Sequence, residues 1–211
     1  MRFHADIRRL ERVLAVALMV SLVGSVAGAV PVAQRCAGIR QKVVRLHILA
    51  NSDSEADQAQ KLRVRDRVLA ETADVLAHTV SRVDAEAAIT AMLPQITRAA
   101  EAQLRADGCT DRVHAELTDM YFDARTYDGG TMPAGTYRAL RLTIGQGAGH
   151  NWWCVVFPPM CLSAAAAPPD AETLDDVLTP GELELVTHPA RYEVRLKVVE
   201  WWEALKSRVC G

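Results

Sequence analysis

The sequence predicts an α+β domain with a largely antiparallel sheet and two long helices packed on one face, preceded by an N-terminal hydrophobic export segment. Three observations carry this prediction. One uncharged apolar run lies near the N-terminus. A period-two segment is followed by two long segments of helical period. A later series of alternating segments is punctuated by glycine and proline turns.

The apolar run is Val13 to Val30, eighteen residues without a charge. As a helix it spans roughly 27 Å, close to the roughly 30 Å hydrocarbon core of a bilayer. Arg2, Arg8, Arg9 and Arg12 precede or open it and favour retention of the N-terminus in the cytosol. Ala27-Gly28-Ala29 offers small residues for a signal peptidase. Residues 1–30 therefore read as a signal peptide or an N-terminal membrane anchor. Residues 31–211 read as a single extracytoplasmic domain. Residues 1–30 hold four Lys/Arg and two Asp/Glu, which leaves 20 basic and 24 acidic residues in that domain. With no basic excess to neutralise phosphates, nucleic acid is not an expected partner.

Lys42 to Ala50 alternates Val44, Leu46 and Ile48 with Arg45 and His47, the pattern of a half-buried strand. Asn51-Ser52-Asp53 breaks it. Ser52 with Glu55 has capping-box spacing, so a helix is expected from Asp53. Its early acids and later bases suit the helix dipole. Leu62, Leu69, Ala73 and Leu76 define the expected inner face, with Asp66 at its edge as a structural tie between helix and sheet. A second helix is expected from Asp84 to Ala106. Ile89, Met92 or Leu93, Ile96, Ala99 or Ala100, and Leu104 point inward, with Pro94 as a kink or restart.

Val113, Ala115 and Leu117 then alternate as a strand, continued by Tyr121-Phe122 after an irregularity at Thr118-Asp119. Tyr137 to Ile144 and Trp152 to Phe157 are further strands, joined through a flexible loop containing Gly145, Gly147 and Gly149. Residues near 164–191 read as a mobile excursion with a short helix near Leu174–Leu178. Tyr192 to Val198 reads as a final strand and Trp201 to Arg208 as a closing helix.

Five cysteines are too few for a disulfide-built scaffold of this length. Cys154 and Cys161 form the best-defined pair. A disulfide needs Cα atoms within about 7 Å, whereas an extended strand would separate them by roughly 23 Å. The chain must therefore turn between them, and Pro158-Pro159 suits that turn. An oxidised pair would contribute about 2.5 kcal/mol in the chain-entropy model; two buried thiols are the alternative. A metal set would need His150, Cys154, Cys161 and the distant His188, at spacings wider than zinc sites use. Cys154 with His47 or His150 would supply a thiol nucleophile, in apolar surroundings that quieten it. The glycine loop is followed by a strand and lacks the helix a phosphate cradle needs. No cofactor or small-molecule substrate is expected. Trp152 and Trp153 should face opposite sides of their strand, one inward and one outward unless a further layer covers it.

Several blocks together resemble the stage II sporulation protein R family. They are Leu46-His47-Ile48-Leu49-Ala50-Asn51-Ser52-Asp53 with Asp57-Gln58, Lys61-Leu62 and Val64-Arg65-Asp66; Met132-Pro133-Ala134-Gly135-Thr136-Tyr137-Arg138-Ala139-Leu140-Arg141-Leu142; and Gly149-His150-Asn151-Trp152-Trp153-Cys154-Val155-Val156-Phe157-Pro158-Pro159-Met160-Cys161. Asp123 stands where the family often has proline, and residues 163–190 carry no match. The resemblance implies a signalling protein of endospore formation, exported from the forespore into the intermembrane space. There it would activate a membrane aspartic protease that processes the sigma-E precursor, acting as a ligand and not as an enzyme. Candidate contacts with that partner are His47, Asn51, Asp53, Asp57, Gln58, Lys61, Asn151, Trp152 and Trp153, with Ser52 and Asp66 structural. Two other readings of the residues are an extracytoplasmic thiol- or zinc-dependent hydrolase and an envelope-glycan-binding module.

Overall fold

The computed structural model describes residues 2–127, 129–160 and 173–189. Helix α1 (Arg2–Lys42) runs through the apolar segment and Pro31 into the domain. It is the one helix among the described residues long and apolar enough to cross a membrane. Strand β1 (Val44–Leu49) follows, then helices α2 (Glu55–Ala77) and α3 (Arg82–Ala106). Strands β2 (Val113–Phe122), β3 (Arg125–Tyr127), β4 (Gly130–Met132), β5 (Gly135–Ile144) and β6 (Asn151–Phe157) complete the β part. Helices α4 (Leu174–Val177) and α5 (Pro180–Thr187) come last.

The main sheet has the order β2-β5-β1-β6. Two pairings are antiparallel, β2 with β5 and β1 with β6, while β1 and β5 run parallel. The sheet is thus mixed and the fold α+β. Strands β3 and β4 form a separate antiparallel hairpin. The β2–β5 register runs unbroken through Thr118↔Ala139 and Asp119↔Arg138, so the expected irregularity there does not occur.

The expected two-helix layer is present. Val44, Leu46 and Ile48 of β1 pack with Val64, Val68, Leu69 and Leu76 of α2 and with Ile89, Ile96, Ala100 and Leu104 of α3. α3 continues through Pro94 without a restart. Of the expected inner face of α2, Leu69 and Leu76 are buried and Ala73 is half-buried, but Leu62 is 39% exposed, and Lys61, Val64 and Thr72 are buried beside them. Asp66 is a correction too. It lies on the surface and pairs with its neighbour Arg65 at 2.6 Å, so it ties no helix to the sheet. The helix start also differs from the expectation. Ser54, not Ser52, is the N-cap and accepts from the Asp57 N–H at 3.1 Å.

The second face of the sheet is covered as well. Ile39 of α1, Val43 between α1 and β1, Leu185 and Val186 of α5, Met132 of the hairpin, and Phe122, Tyr137, Ala139 and Val155 form a second buried cluster. β1 is therefore buried on both faces, not half-buried: Arg45 is fully buried and His47 is 4% exposed. Alternation in sequence ordinarily sets core against solvent, but here it separates two cores. Within the stretch expected as an excursion, residues 173–189 form α4 and α5, and α5 packs on α1. The Gly38 position has no room for a side chain because Glu182 lies against it. Glu182 accepts from Lys42 Nζ at 2.7 Å and caps its own helix through Thr179. Tyr192 to Val198 and Trp201 to Arg208 lie outside the described residues.

Candidate functional site

At the end of β1 the chain must turn into α2, and the polar residues of that turn bond to one another and to the β5–β6 loop. Asp57, near the start of α2, accepts from Ser52 Oγ at 2.6 Å and Asn51 Nδ2 at 3.1 Å. Those bonds hold its carboxyl below the ordinary carboxylate range, the Ser52 hydroxyl contributing most. Asn51 Oδ1 in turn accepts from the Gln146 N–H at 3.0 Å. One asparagine therefore joins the helix start to the glycine loop.

That loop is held closely, unlike the flexible connection expected. Gly145 and Gly147 have φ of +55° and +61°, and a side chain at Gly145 would strike Asn51. Gly149 sits against the Ser52 backbone with no space for a Cβ. The N–H groups of Ala148 and Gly149 donate to the carbonyls of Asn51 and Ala50 at 3.1 and 3.0 Å.

Lys61 extends from α2 beneath this loop and is buried. Its ammonium donates to Gln58 Oε1 at 2.6 Å and to the His150 carbonyl at 2.9 Å. Burial lowers its pKa, partly opposed by Asp53. Gln58 Nε2 donates to the Ser52 carbonyl at 2.9 Å. Above them Asp53 accepts from the His150 N–H at 2.5 Å, and its carboxylate also touches the His150 ring. The backbone bond from His150 is the chief reason the Asp53 carboxyl lies below its usual range. The Asp53 and His150 side chains are 55% and 79% exposed, so the pair is presented to solvent on a braced support.

Asn51, Asp53, Asp57, Gln58 and Lys61 thus come together, and Asn151 stands exposed at the start of β6, opposite Leu49. Trp152 is half-buried on the α2 side, with the Arg65 guanidinium 4.9 Å from its ring centre. Trp153 and His47 are elsewhere. They lie on the second face with ring centroids 5.8 Å apart, beside Phe122, and the Arg125 guanidinium covers Trp153 at 4.0 Å. Trp152 and Trp153 do face opposite sides, and each has a covering layer. His47 is buried and is removed from the surface network. Both its ring nitrogens and Trp153 Nε1 lack hydrogen-bond partners among the described residues. Burial, reinforced by the positive charge of Arg141, lowers the His47 pKa to about 4.

Two participants in this site carry no assignment from sequence, His150 and Gln146, and a third residue, Arg45, lies away from it in the second core. His150 figured only as a ligand or base, although its place directly after Gly149 puts it within reach of Asp53. Gln146 acts through its backbone, which leaves no side-chain signal. Arg45 lies buried under Phe122, Tyr137 and Tyr127 at 4.4, 5.0 and 5.5 Å and donates to the Cys154 carbonyl at 3.1 Å. Its charge, alternating with β1's apolar residues, read as a solvent-facing position.

Cys154 is buried and disulfide-bonded, so it offers no free thiol. Its expected partner Cys161 lies outside the described residues. No three His, Cys, Asp or Glu side chains among the described residues gather as a metal site. The surface network presents hydrogen-bonding and charged groups on a fixed frame, an arrangement suited to contact with another macromolecule.

Residues 40–167 match the family model described as Stage II sporulation protein R. Over 123 residues the chain is 37% identical to the Stage II sporulation protein R of Bacillus subtilis (strain 168), which covers 58% of this chain and 55% of that protein. The chain thus spans about half the length of that relative. No solved structure matches.

Proposed function

We propose, because the chain belongs to the stage II sporulation protein R family, that it serves sporulation as an exported signalling ligand. In this reading it leaves the forespore, reaches the intermembrane space and binds the outward-facing part of a membrane aspartic protease. It favours the active state of that protease, which then processes the sigma-E precursor. A ligand shifts such an equilibrium only by binding one state better than the other, so it needs a surface of defined shape. The observation that supports this most directly is the braced network at the β1–α2 junction. There Asp53, His150 and Asn151 are exposed while the residues beneath them are hydrogen-bonded to each other.

The network also stands clear of the N-terminal helix. β1 starts two residues after α1 ends and carries the chain about 17 Å before the junction begins. A chain held at the membrane or released from it would present this end to a receptor in either case. The test is co-purification of the full chain with the protease's membrane part, followed by cross-link mapping, with Asp53→Lys and Asn151→Arg as variants. Loss of cross-links and of sigma-E precursor processing, with thermal melting unchanged, is the expected result. Processing that continues at the wild-type level in both variants would remove this surface from the mechanism.

A further inference from the structure

Strand β2 stands at one edge of the sheet, whose order is β2-β5-β1-β6. Its pairing with β5 runs through all ten residues without a bulge. At the head of that ladder the Gly145 N–H donates to the Arg112 carbonyl at 2.9 Å. Antiparallel bonds to one neighbour recur at every second residue. The even-numbered residues of β2 therefore face β5, and Val113, Ala115, Leu117, Asp119 and Tyr121 turn their N–H and C=O groups outward. Val113 N–H donates to the Glu101 carboxylate at 3.4 Å. No main-chain group among the described residues pairs with the rest of this edge.

A free edge of this length is a template for another strand, and proteins ordinarily guard one with lysine, proline, a bulge or outward charge. β2 contains no lysine and no proline. Its two acids are drawn back to β5, Glu116 lying 3.5 Å from Arg141 and Asp119 3.5 Å from Arg138. Apolar surface is also left open here. Tyr121 is 62% exposed. Ala115 and Leu117 are half-buried against the first core and Met120 against the second, so both cores reach this edge without being closed there.

The edge is complementary to a second copy of itself. A two-fold axis normal to the sheet lays β2 antiparallel on its copy and keeps each face beside its own kind. With the axis at Leu117, Glu116 comes opposite Thr118 and Asp119 opposite Ala115. Tyr121 then meets Val113, an aromatic ring against a β-branched side chain. An axis at Glu116 or Asp119 would set two carboxylates directly opposite each other, which is destabilising. An axis at Thr118 would set Asp119 against Leu117. We propose that two copies of this chain associate through β2, antiparallel and centred on Leu117, to make one continuous sheet from their two four-stranded sheets. The new seam carries about eight main-chain hydrogen bonds. The copies run in opposite directions, so the pair forms between chains free to turn relative to each other, and its two junction surfaces lie at opposite ends. The inference does not rest on the proposed function.

The test is sedimentation equilibrium of the full chain in a mild detergent, with Leu117→Cys, Tyr121→Cys and Asp119→Pro alongside. Wild type is expected to reach the mass of two copies by about 100 µM, in the range of a small interface. Amide exchange at Ala115, Leu117, Asp119 and Tyr121 should slow about ten-fold as the pair forms. Leu117→Cys should oxidise to a covalent dimer, because its Cα lies about 5.5 Å from that of its copy. The yield is compared with wild type, in which Cys36 and Cys109 are free. Tyr121→Cys should stay at the wild-type yield, since it lies roughly 27 Å from its own copy in this register. Asp119→Pro removes an outward N–H and no bond to β5, so pairing should weaken about ten-fold or more while the melting of the single chain is unchanged. Where Asp119→Pro does not fold, the two cysteine variants decide. Single copies at every concentration, a pair that survives Asp119→Pro, or cross-linking of Tyr121→Cys as fast as Leu117→Cys would overturn the proposal. So would single copies whose outward amides slow only when the membrane part of the protease is added, which would give the edge to a strand of that partner.

Discussion

Lowering the pH should destabilise this fold through one buried imidazole. His47 sits 4% exposed on the second face of the sheet, its ring nitrogens unpartnered among the described residues and its pKa lowered from 6.5 to about 4. Above the unfolded-state value the ring is neutral in both states and contributes nothing to the pH dependence. Between that value and about 4 the unfolded chain takes up a proton that the native chain refuses. Native stability then falls by roughly 1.4 kcal/mol per pH unit. Below the native value both states are protonated and the accumulated loss stays at about 3 kcal/mol. Carboxylates titrate over part of the same range, so the informative quantity is the difference between wild type and His47→Leu. Urea unfolding of both proteins in one mild detergent, from pH about 7.5 to about 4, measures it. Relative to wild type, His47→Leu should gain about 3 kcal/mol across that range. A difference that stays flat within about 0.5 kcal/mol, or an imidazole resonance titrating near 6.5 in the native protein, would refute the burial argument.

Other consequences follow from the same contacts. Glu182 is held below the ordinary carboxylate range: burial opposes its ionisation, but the hydrogen bonds from Lys42 and Thr179 outweigh it. Its stabilisation is present above the unfolded carboxylate pKa and lost as pH falls through the lower native value. Glu182→Gln should therefore cost about 1 kcal/mol at neutral pH and almost nothing in strong acid, as read by denaturant unfolding. Lys61→Met keeps the buried stem and removes the bonds to Gln58 and to the His150 carbonyl. Because it also removes a desolvated cation, global stability should change by less than about 1 kcal/mol, while amide exchange in the β5–β6 loop accelerates. Arg65→Ala should cost about 0.5–1 kcal/mol and shift Trp152 emission to longer wavelength as its ring is uncovered.

The junction was legible in sequence because its chemistry is local. Asn51, Ser52 and Asp57 are polar residues between a strand and a helix, where short side chains must cap free backbone groups. Even so, the choice between Ser52 and Ser54 as cap was not local. Ser52 is drawn to the Asp57 carboxylate, which leaves the cap to Ser54. The glycine loop misled for a similar reason. Gly145 and Gly149 are small because Asn51 and Ser52 lie against them, and that contact joins residues nearly a hundred positions apart. α5 carries a local signal of its own: Thr179-Pro180-Gly181-Glu182 is a capping box with proline at the first helical position.

Sequence alone determined the N-terminal apolar helix, the strand-helix-helix order, the alternating strands and the family, because each depends on periodicity or on unbroken blocks of residues. Tertiary structure alone decided that β1 has a core on both sides. The covering of Arg45 and His47 comes from the end of α1, from the hairpin, from α5 and from aromatic residues of β2, β5 and β6. A strand's own pattern records which residues alternate, whereas what lies over each face depends on segments brought there by the whole chain.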